Sequence, residues 1–241
     1  MVISRTELVE LFLAAGLIVF VLQSSGRVYE KFRRALDIII SITALLLALP
    51  VMLAVALLIK FDSPGPVLYS QVRVGYNRRH GKAGRTAQDR RGDNNLGTPF
   101  RIYKFRTMRL DAESGSGAVW ASSADSRVTR LGRFLRKSRL DELPQFYNVL
   151  KGDMSFIGPR PERPEFVKEL NNNIGSYDKR CDVKPGITGL AQVRFSYAAS
   201  LEDTKRKVKY DLMYLKKVSF LLDLQIFFST FKTVLFAKGA R

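Results

Sequence analysis

At 241 residues with 46% apolar side chains, the chain is long enough for one large domain or two small ones with a real core. Forty Lys and Arg against 22 Asp and Glu leave a net charge of +18 and a pI near 10.2, which predicts an anionic partner: nucleic acid, an acidic lipid surface or a phosphorylated substrate. One cysteine (Cys181) excludes an internal disulfide and one histidine (His80) excludes a Cys/His zinc site, so the default setting is reducing and cytoplasmic, and chemistry must rest on carboxylates, Lys, Arg, Ser and Tyr.

The first apolar run, Leu8 to Leu22, is interrupted by Glu10 and is short for a full membrane span of ~20 residues. No small-residue cleavage site follows it; Gln23-Ser24-Ser25-Gly26 leads directly into Arg27, Lys31, Arg33 and Arg34. It reads as a marginal membrane helix or as a buried amphipathic one. The second run, Ala35 to Ile59, carries one charge, Asp37. As a straight helix it would be about 36 Å long, enough to cross a bilayer. Pro50 sits in its middle, where it removes a backbone donor and favours a kink or break. Each half, roughly 20 Å, is too short to cross a ~30 Å hydrocarbon core. Basic residues flank both sides, Arg27 to Arg34 before and Lys60, Arg73, Arg78 and Arg79 after, as expected if both ends return to one cytoplasmic face. A proline-kinked spanning helix is the alternative.

Asp62-Ser63-Pro64-Gly65-Pro66 stops any helix, and Val67 to Val74 reads as a strand. Tyr76 to Thr98 is rich in Arg, Gly, Asn and Asp and reads as a solvated loop. Phe100 to Thr107 alternates apolar and basic residues, which predicts a half-buried strand with a cationic face that includes Lys104. Ser114 to Ser126 reads as loop and Leu131 to Lys137 as a basic helix. Leu143 to Leu150 and Pro164 to Leu170 are predicted helices, and Pro185 to Val193 a turn followed by a strand. Between them Gly158-Pro159-Arg160-Pro161 forms a rigid turn that presents one Arg with little conformational freedom, suited to a bidentate phosphate contact. Glu202 to Lys217 is a strongly basic helix and Phe220 to Phe236 an apolar, aromatic one, a pairing suited to interfacial membrane docking or, equally, to a core helix with a solvated neighbour. The chain has no internal repeat.

Within this basic surround lies one acidic pair, Asp141-Glu142, in Ser138-Arg139-Leu140-Asp141-Glu142-Leu143-Pro144. Two adjacent carboxylates among cations fit a nucleophile or base held beside the groups that bind a phosphate. Ser138-x-x-Asp141 also fits a helix capping box. The two readings are compatible if Ser138 caps a helix and holds Asp141 at its N-terminus, where the helix dipole favours bound phosphate.

Phe105-Arg106-Thr107-Met108, the block from Ser138 to Pro161, Lys184-Pro185-Gly186-Ile187-Thr188-Gly189-x-Ala191-Gln192-Val193 and the closing Ser219-Phe220-Leu221-Leu222-Asp223-Leu224 together resemble the bacterial sugar transferases, the monotopic phosphoglycosyl transferases. The resemblance runs in order from about Arg34 to the C-terminus. It implies transfer of a phosphosugar from a nucleoside diphosphate sugar, a UDP-sugar, to a polyprenyl phosphate such as undecaprenyl phosphate, releasing UMP. In such enzymes this is the first membrane step of exopolysaccharide, O-antigen or glycoconjugate assembly. Asp141 then matches the nucleophile that forms a covalent phosphosugar-aspartate, Glu142 its dyad partner, and Asp141 with Glu142 the ligands of a Mg2+ ion. Arg136 and Arg160 match positions that contact substrate phosphate or nucleotide; Lys104, Pro159, Pro161 and Arg194 complete the candidate binding set, and Pro50 matches the proline that breaks a re-entrant helix. The implied fold is mixed α/β and helix-rich with a small sheet, a monotopic membrane enzyme with interfacial amphipathic helices. The implied division is a hydrophobic segment at 1–30, a re-entrant helix at 31–61 and a catalytic domain at 62–241. The implied place is the bacterial inner membrane, with the catalytic domain on the cytoplasmic face, among anionic lipids, without nucleic acid and with room for a homodimer.

The sequence departs from the family pattern at Leu49, where Ser often precedes the proline, at Leu190, where Trp is common, and at Arg194-Phe195-Ser196-Tyr197, where many small members carry Asn-Gly-Arg. Arg194 is the candidate substitute for that last Arg. A reading from a different class, a non-catalytic basic membrane adaptor or a nucleic-acid-binding protein, has the charge in its favour and the two hydrophobic runs and lack of a reading module against it.

Overall fold

The computed structural model describes residues 26–77, 97–110, 112, 125–195 and 201–235. The expectations for 8–22, for the Arg-rich stretch 78–95 and for most of 114–126 lie outside these residues.

One helix dominates the fold. α1, Arg27–Asp62, starts after Gly26 at φ 84° and carries Glu30 in its first turn and Lys60 in its last, each complementing the dipole. It ends where Ser63 turns extended and its N–H donates to Ile59 O, just ahead of Pro64 and Pro66. Pro50 lies inside this helix, which runs through it without interruption. Of the expected kink or break, a break that ends the helix is not found, while a kink is compatible with an unbroken helix. Only 11% of the apolar span of α1 is buried, with Leu46, Leu47, Leu49, Leu53, Leu57 and Phe61 all exposed. A helix of such length and composition, uncovered by its own protein, fits a membrane better than a soluble core.

Both ends of α1 dock on the same body. Near its start, Arg34 Nη1 and Nη2 donate to Val149 O and Leu150 O at 2.5 and 2.7 Å, and Arg33 donates to Ile157 O. Asp37 Oδ1 accepts from Ser155 Oγ at 3.1 Å and from the Phe156 N–H at 2.8 Å. Tyr29 OH and Tyr214 OH both donate to Asp223, at 2.6 and 2.8 Å. Near its end, Val55 and Ile59, one helical turn apart, are buried against Phe105 and Leu135.

The body itself is small-stranded and helix-rich. β1 (Leu68–Val74) and β2 (Pro99–Phe105) pair antiparallel, Leu68 opposite Phe105 and Val74 opposite Pro99. α2 (Arg130–Lys137), a 3-10 turn (Leu140–Glu142) and α3 (Gln145–Lys151) follow. β3 (Ser155–Ile157) pairs in parallel with β4 (Gly186–Thr188), so the expected small sheet is two separate two-stranded ones. α4 (Pro164–Asn173), a second 3-10 element (Tyr177–Asp182), α5 (Leu190–Arg194), α6 (Leu201–Lys216) and α7 (Phe220–Leu235) complete the order. α5 corrects the strand expected up to Val193. Gly189 is extended, and the helix then begins with Leu190 and Ala191 turned into the core, a five-residue segment too short for periodicity to decide. Leu135, Val149 and Met154 are fully buried, each contributing roughly 1.5–3 kcal/mol.

α2 is seated on the chain beyond β2 by close approach. Thr129 caps it, accepting from the Gly132 N–H at 2.9 Å, and a Cβ on Gly132 would lie 2.0 Å from Thr107 O. Gly132→Ala is expected to force α2 off this seat and cost about 2 kcal/mol, the range for overpacking. Thermal melting should fall by about 4–8 °C; an unchanged melting temperature would refute the close-packed seat.

Candidate active site

The acidic pair sits between α2 and α3. α2 ends at Ser138, whose hydroxyl donates back to Phe134 O at 2.9 Å and Leu135 O at 3.2 Å. Ser138 thus closes the preceding helix instead of capping the following one, which corrects the capping-box expectation and with it the placing of Asp141 at a helix N-terminus. The reversal is made by Arg139, at φ 61° and ψ 11°, a left-handed conformation uncommon for a residue with a side chain and concentrated at functional sites. Leu140 then anchors the 3-10 turn in the core beneath α1, and Asp141 and Glu142 are carried onto the wall of a cavity of about 670 Å3.

Lys104 reaches the pair because β2 is registered against α3. Asn148, fully buried, accepts from the Tyr103 N–H at 3.0 Å and donates to Arg101 O at 2.7 Å. Next to Tyr103, Lys104 Nζ donates to Glu142 Oε1 at 3.0 Å. Arg160 Nη2 donates to the same oxygen at 2.8 Å, and Arg139 Nη1 stands 3.9 Å from it. Arg160 is extended from the Pro159-Arg160-Pro161 turn that follows β3, and its Nη1 also donates to Gln192 Oε1 at 3.4 Å. Arg136 lines the cavity with its Nε on Thr107 Oγ1 at 3.0 Å.

The two carboxylates are thereby made unlike. Both are buried, 7% and 9% exposed. Burial alone would raise the Glu142 carboxyl, yet Arg160 and Lys104 hold it well below the ordinary range. Asp141 makes no hydrogen bond or ion pair with a described side chain, and burial raises its carboxyl, with Lys104 pulling the other way and ionised Glu142 adding to the rise. Burial lowers Lys104 while Glu142 opposes this, and Glu142 raises Arg160. One acid is fixed and charge-neutralised; its neighbour is left without such partners.

Eleven Lys and Arg line the cavity against four Asp and Glu, so its field favours anions. Its rim includes Pro66, Leu68 and Leu110, next to the end of α1, and Arg106 ties that rim down by donating to Pro64 O and Ser63 O at 2.6 and 2.7 Å. Of the predicted residues, Asp141, Glu142, Lys104, Arg136 and Arg160 come together here. Pro159 and Pro161 lie behind Arg160 and line a separate small cleft. Arg194 is exposed on α5 and is absent from the cavity wall, which Gln192 and Phe195 reach instead. Sequence reasoning missed Gln192 and Arg139 as site residues, although both lie within the blocks it singled out.

Fold and site define a helix-rich protein with one long exposed apolar helix and a cationic cavity that holds two unlike carboxylates. The chain belongs to the bacterial sugar transferase family, whose model matches residues 28–237. It is 46% identical over 214 residues to the UDP-N-acetylgalactosamine-undecaprenyl-phosphate N-acetylgalactosaminephosphotransferase of Aeromonas hydrophila, covering 89% of this chain and 46% of that protein. It is 39% identical over 201 residues to the UDP-glucose:undecaprenyl-phosphate glucose-1-phosphate transferase of Klebsiella pneumoniae, covering 83% and 39%. The exopolysaccharide production protein PSS of Rhizobium leguminosarum bv. phaseoli is 38% identical over 206 residues, covering 82% of this chain and 92% of that protein. The chain thus spans less than half the length of the first two relatives and most of the third.

Proposed function

We propose that the chain transfers a sugar phosphate from a nucleoside diphosphate sugar, in the first instance a UDP-sugar, to a polyprenyl phosphate such as undecaprenyl phosphate. The observation that carries this reading is the unclaimed carboxylate of Asp141 beside an immobilised Glu142 in a basic cavity next to a membrane helix. The names of the relatives supply the substrate class. In the first step an Asp141 oxygen attacks the sugar-bearing phosphorus, and the bond from that phosphorus to the bridging oxygen breaks. UMP leaves with the bonding electrons, and a phosphosugar-aspartate remains. In the second step a phosphate oxygen of the polyprenyl phosphate attacks the same phosphorus, the bond to Asp141 breaks, and the carboxylate is restored. Arg160, Lys104 and Arg136 oppose the charge on the phosphoryl oxygens throughout.

A Mg2+ ion fits these residues. Glu142 has only its Oε1 engaged by Lys104 and Arg160, and Asp141 is unclaimed. No cluster of three or more His, Cys, Asp or Glu exists among the described residues. Two carboxylates completed by water and substrate phosphate are a normal Mg2+ environment, and Asp141 with Glu142 would hold the ion. When bound it would neutralise diphosphate charge.

α1 serves in this reading as a re-entrant helix. Its two ends dock on one body through Arg33, Arg34 and Asp37 on one side and Val55 and Ile59 on the other, which supports this reading over a helix that crosses the bilayer. Exposed Leu221, Leu224, Phe228 and Phe231 on α7, beside exposed Lys209, Lys216 and Lys217, fit an interfacial surface against anionic lipids of the cytoplasmic leaflet. The test is a panel of nucleotide sugars offered with polyprenyl phosphate and Mg2+, read as nucleoside monophosphate release. Release that requires the lipid phosphate for repeated turnover is expected with one or a few sugars. Absence of release with every donor, from a chain that stays in membranes after high-salt washing, would favour a membrane adaptor instead.

A further inference from the structure

The turn that carries Arg160 is held in an unusual way. Its prolines, Pro159 and Pro161, have no N–H to donate, so its polar handles are mostly carbonyls. Four consecutive carbonyls are each taken by a different group: Pro159 O by the Gly186 N–H at 2.9 Å, Arg160 O by Arg180 Nη2 at 3.0 Å, Pro161 O by Arg73 Nη1 at 3.2 Å and Glu162 O by the Val74 N–H at 2.9 Å. β4 and β1 supply the backbone donors. Arg180 acts on the residue whose side chain meets Glu142.

Arg180 is itself fixed at three points. Its Nε lies 2.7 Å from Asp211 Oδ2 on α6, its Nη1 donates to Tyr177 OH at 2.6 Å, and its guanidinium carbon stands 4.8 Å from the centre of the Tyr177 ring. The side chains of Arg180 and Asp211 are only 10% and 4% exposed. A buried ion pair is weak evidence for stability, since apolar replacements of equal volume often serve as well. What an apolar replacement could not do here is hold the Arg160 carbonyl. With each guanidinium nitrogen of Arg180 already engaged, the group is better placed to orient its neighbour than to bind a ligand.

We infer that Arg180, braced by Asp211 and Tyr177, is a positioning residue that aims the Arg160 guanidinium at Glu142 and at the substrate phosphate. The inference rests on the phosphosugar transfer proposed above. Arg180 grips the backbone of Arg160 from behind while Glu142 and Gln192 meet its side chain in front, so loosening the rear contact shifts the guanidinium without removing it. The charge and hydrogen bonds of Arg160 then no longer converge where the phosphoryl oxygens sit.

The experiment is a double-mutant cycle in the full chain in membranes, with kcat and KM for nucleoside monophosphate release measured per folded molecule. Arg180→Lys keeps the charge and loses the fork; it should lower kcat/KM by about 10- to 100-fold, as small misplacements of a catalytic group do. The loss should fall on the same constant, kcat or KM, as the loss in Arg160→Lys. In an Arg160→Lys background, Arg180→Lys should cost less than about twofold more, because the two act through one group. An equal loss in both backgrounds, or wild-type constants in the single variant, would overturn the inference. Should Arg180→Lys not fold, Tyr177→Phe, which removes one brace without changing shape, decides by the same cycle with an expected loss of about fivefold. A wild-type chain that never releases nucleotide overturns the proposed function and this inference with it, whereas an active wild type with additive variants overturns this inference alone.

Discussion

Asp141→Asn is expected to abolish turnover, by about 10⁴-fold or more, and at the same time to raise the melting temperature at neutral pH. The amide keeps the shape of the side chain but cannot form the phosphosugar-aspartate. The stability change follows from linkage. Burial raises the Asp141 carboxyl above its ordinary value of 3.8, with Glu142 adding to the rise. A raised carboxyl favours folding only below that ordinary value, and its contribution is lost as pH rises through the folded value. At neutral pH the buried anion is therefore a cost that Asn does not carry. Nucleoside monophosphate release, mass detection of the aspartyl adduct and thermal melting at pH 7 check the three parts. Normal release by this variant would end the assignment of the nucleophile.

Glu142→Gln is expected to have the opposite stability sign and a large kinetic effect. The carboxylate neutralises Lys104 at 3.0 Å and Arg160 at 2.8 Å, and its removal leaves two cations facing each other in a buried wall. Breaking such a pair costs about 3 kcal/mol here, the low end of the buried range, because Arg160 is 37% exposed and partly screened. Arg160 and Lys104 would also lose their common anchor, and turnover should fall by roughly 10²- to 10³-fold, as when a preorganised charge is misplaced. Because the Glu142 carboxyl lies well below its ordinary 4.5, its contribution is present above that value and fades as pH falls through the folded one. The stability gap between wild type and Glu142→Gln should thus hold at pH 6–8 and narrow only below about pH 4.5. A variant as stable as wild type at pH 7 would contradict the charge-neutralising role.

The local part of this architecture is legible in the sequence. The alternation around Lys104, the basic run before Ser138, the Pro-Arg-Pro turn and the final basic and apolar helices all lie where periodicity and turn chemistry place them, within a few residues. The failures share a cause. Ser138 has the right spacing for a cap of the next helix but is drawn back onto Phe134 and Leu135, because Arg139 takes the left-handed conformation that a capping box does not require. Leu190 to Arg194 is too short for its apolar pattern to separate helix from strand. Arg194 stands beside a motif, yet the helix turns it outward and brings Gln192 to the cavity. Contacts such as Lys104 with Glu142 or Arg180 with Asp211 join residues 38 and 31 positions apart, and no local pattern announces them.

One bond pair bears on how the molecule comes to be assembled. At the last turn of α3 the Gly152 N–H donates to Asn148 O and Val149 O, and Arg34, which is 115 and 116 residues away in the chain, adds donors to Val149 O and Leu150 O. A seven-residue helix is too short to persist by its own hydrogen bonds. The segment that follows the acidic pair is therefore completed by α1. A molecule whose α1 has not reached its seat is expected to have a frayed α3. Under the proposed function, the seating of α1 and order in the segment after Asp141 would be gained together.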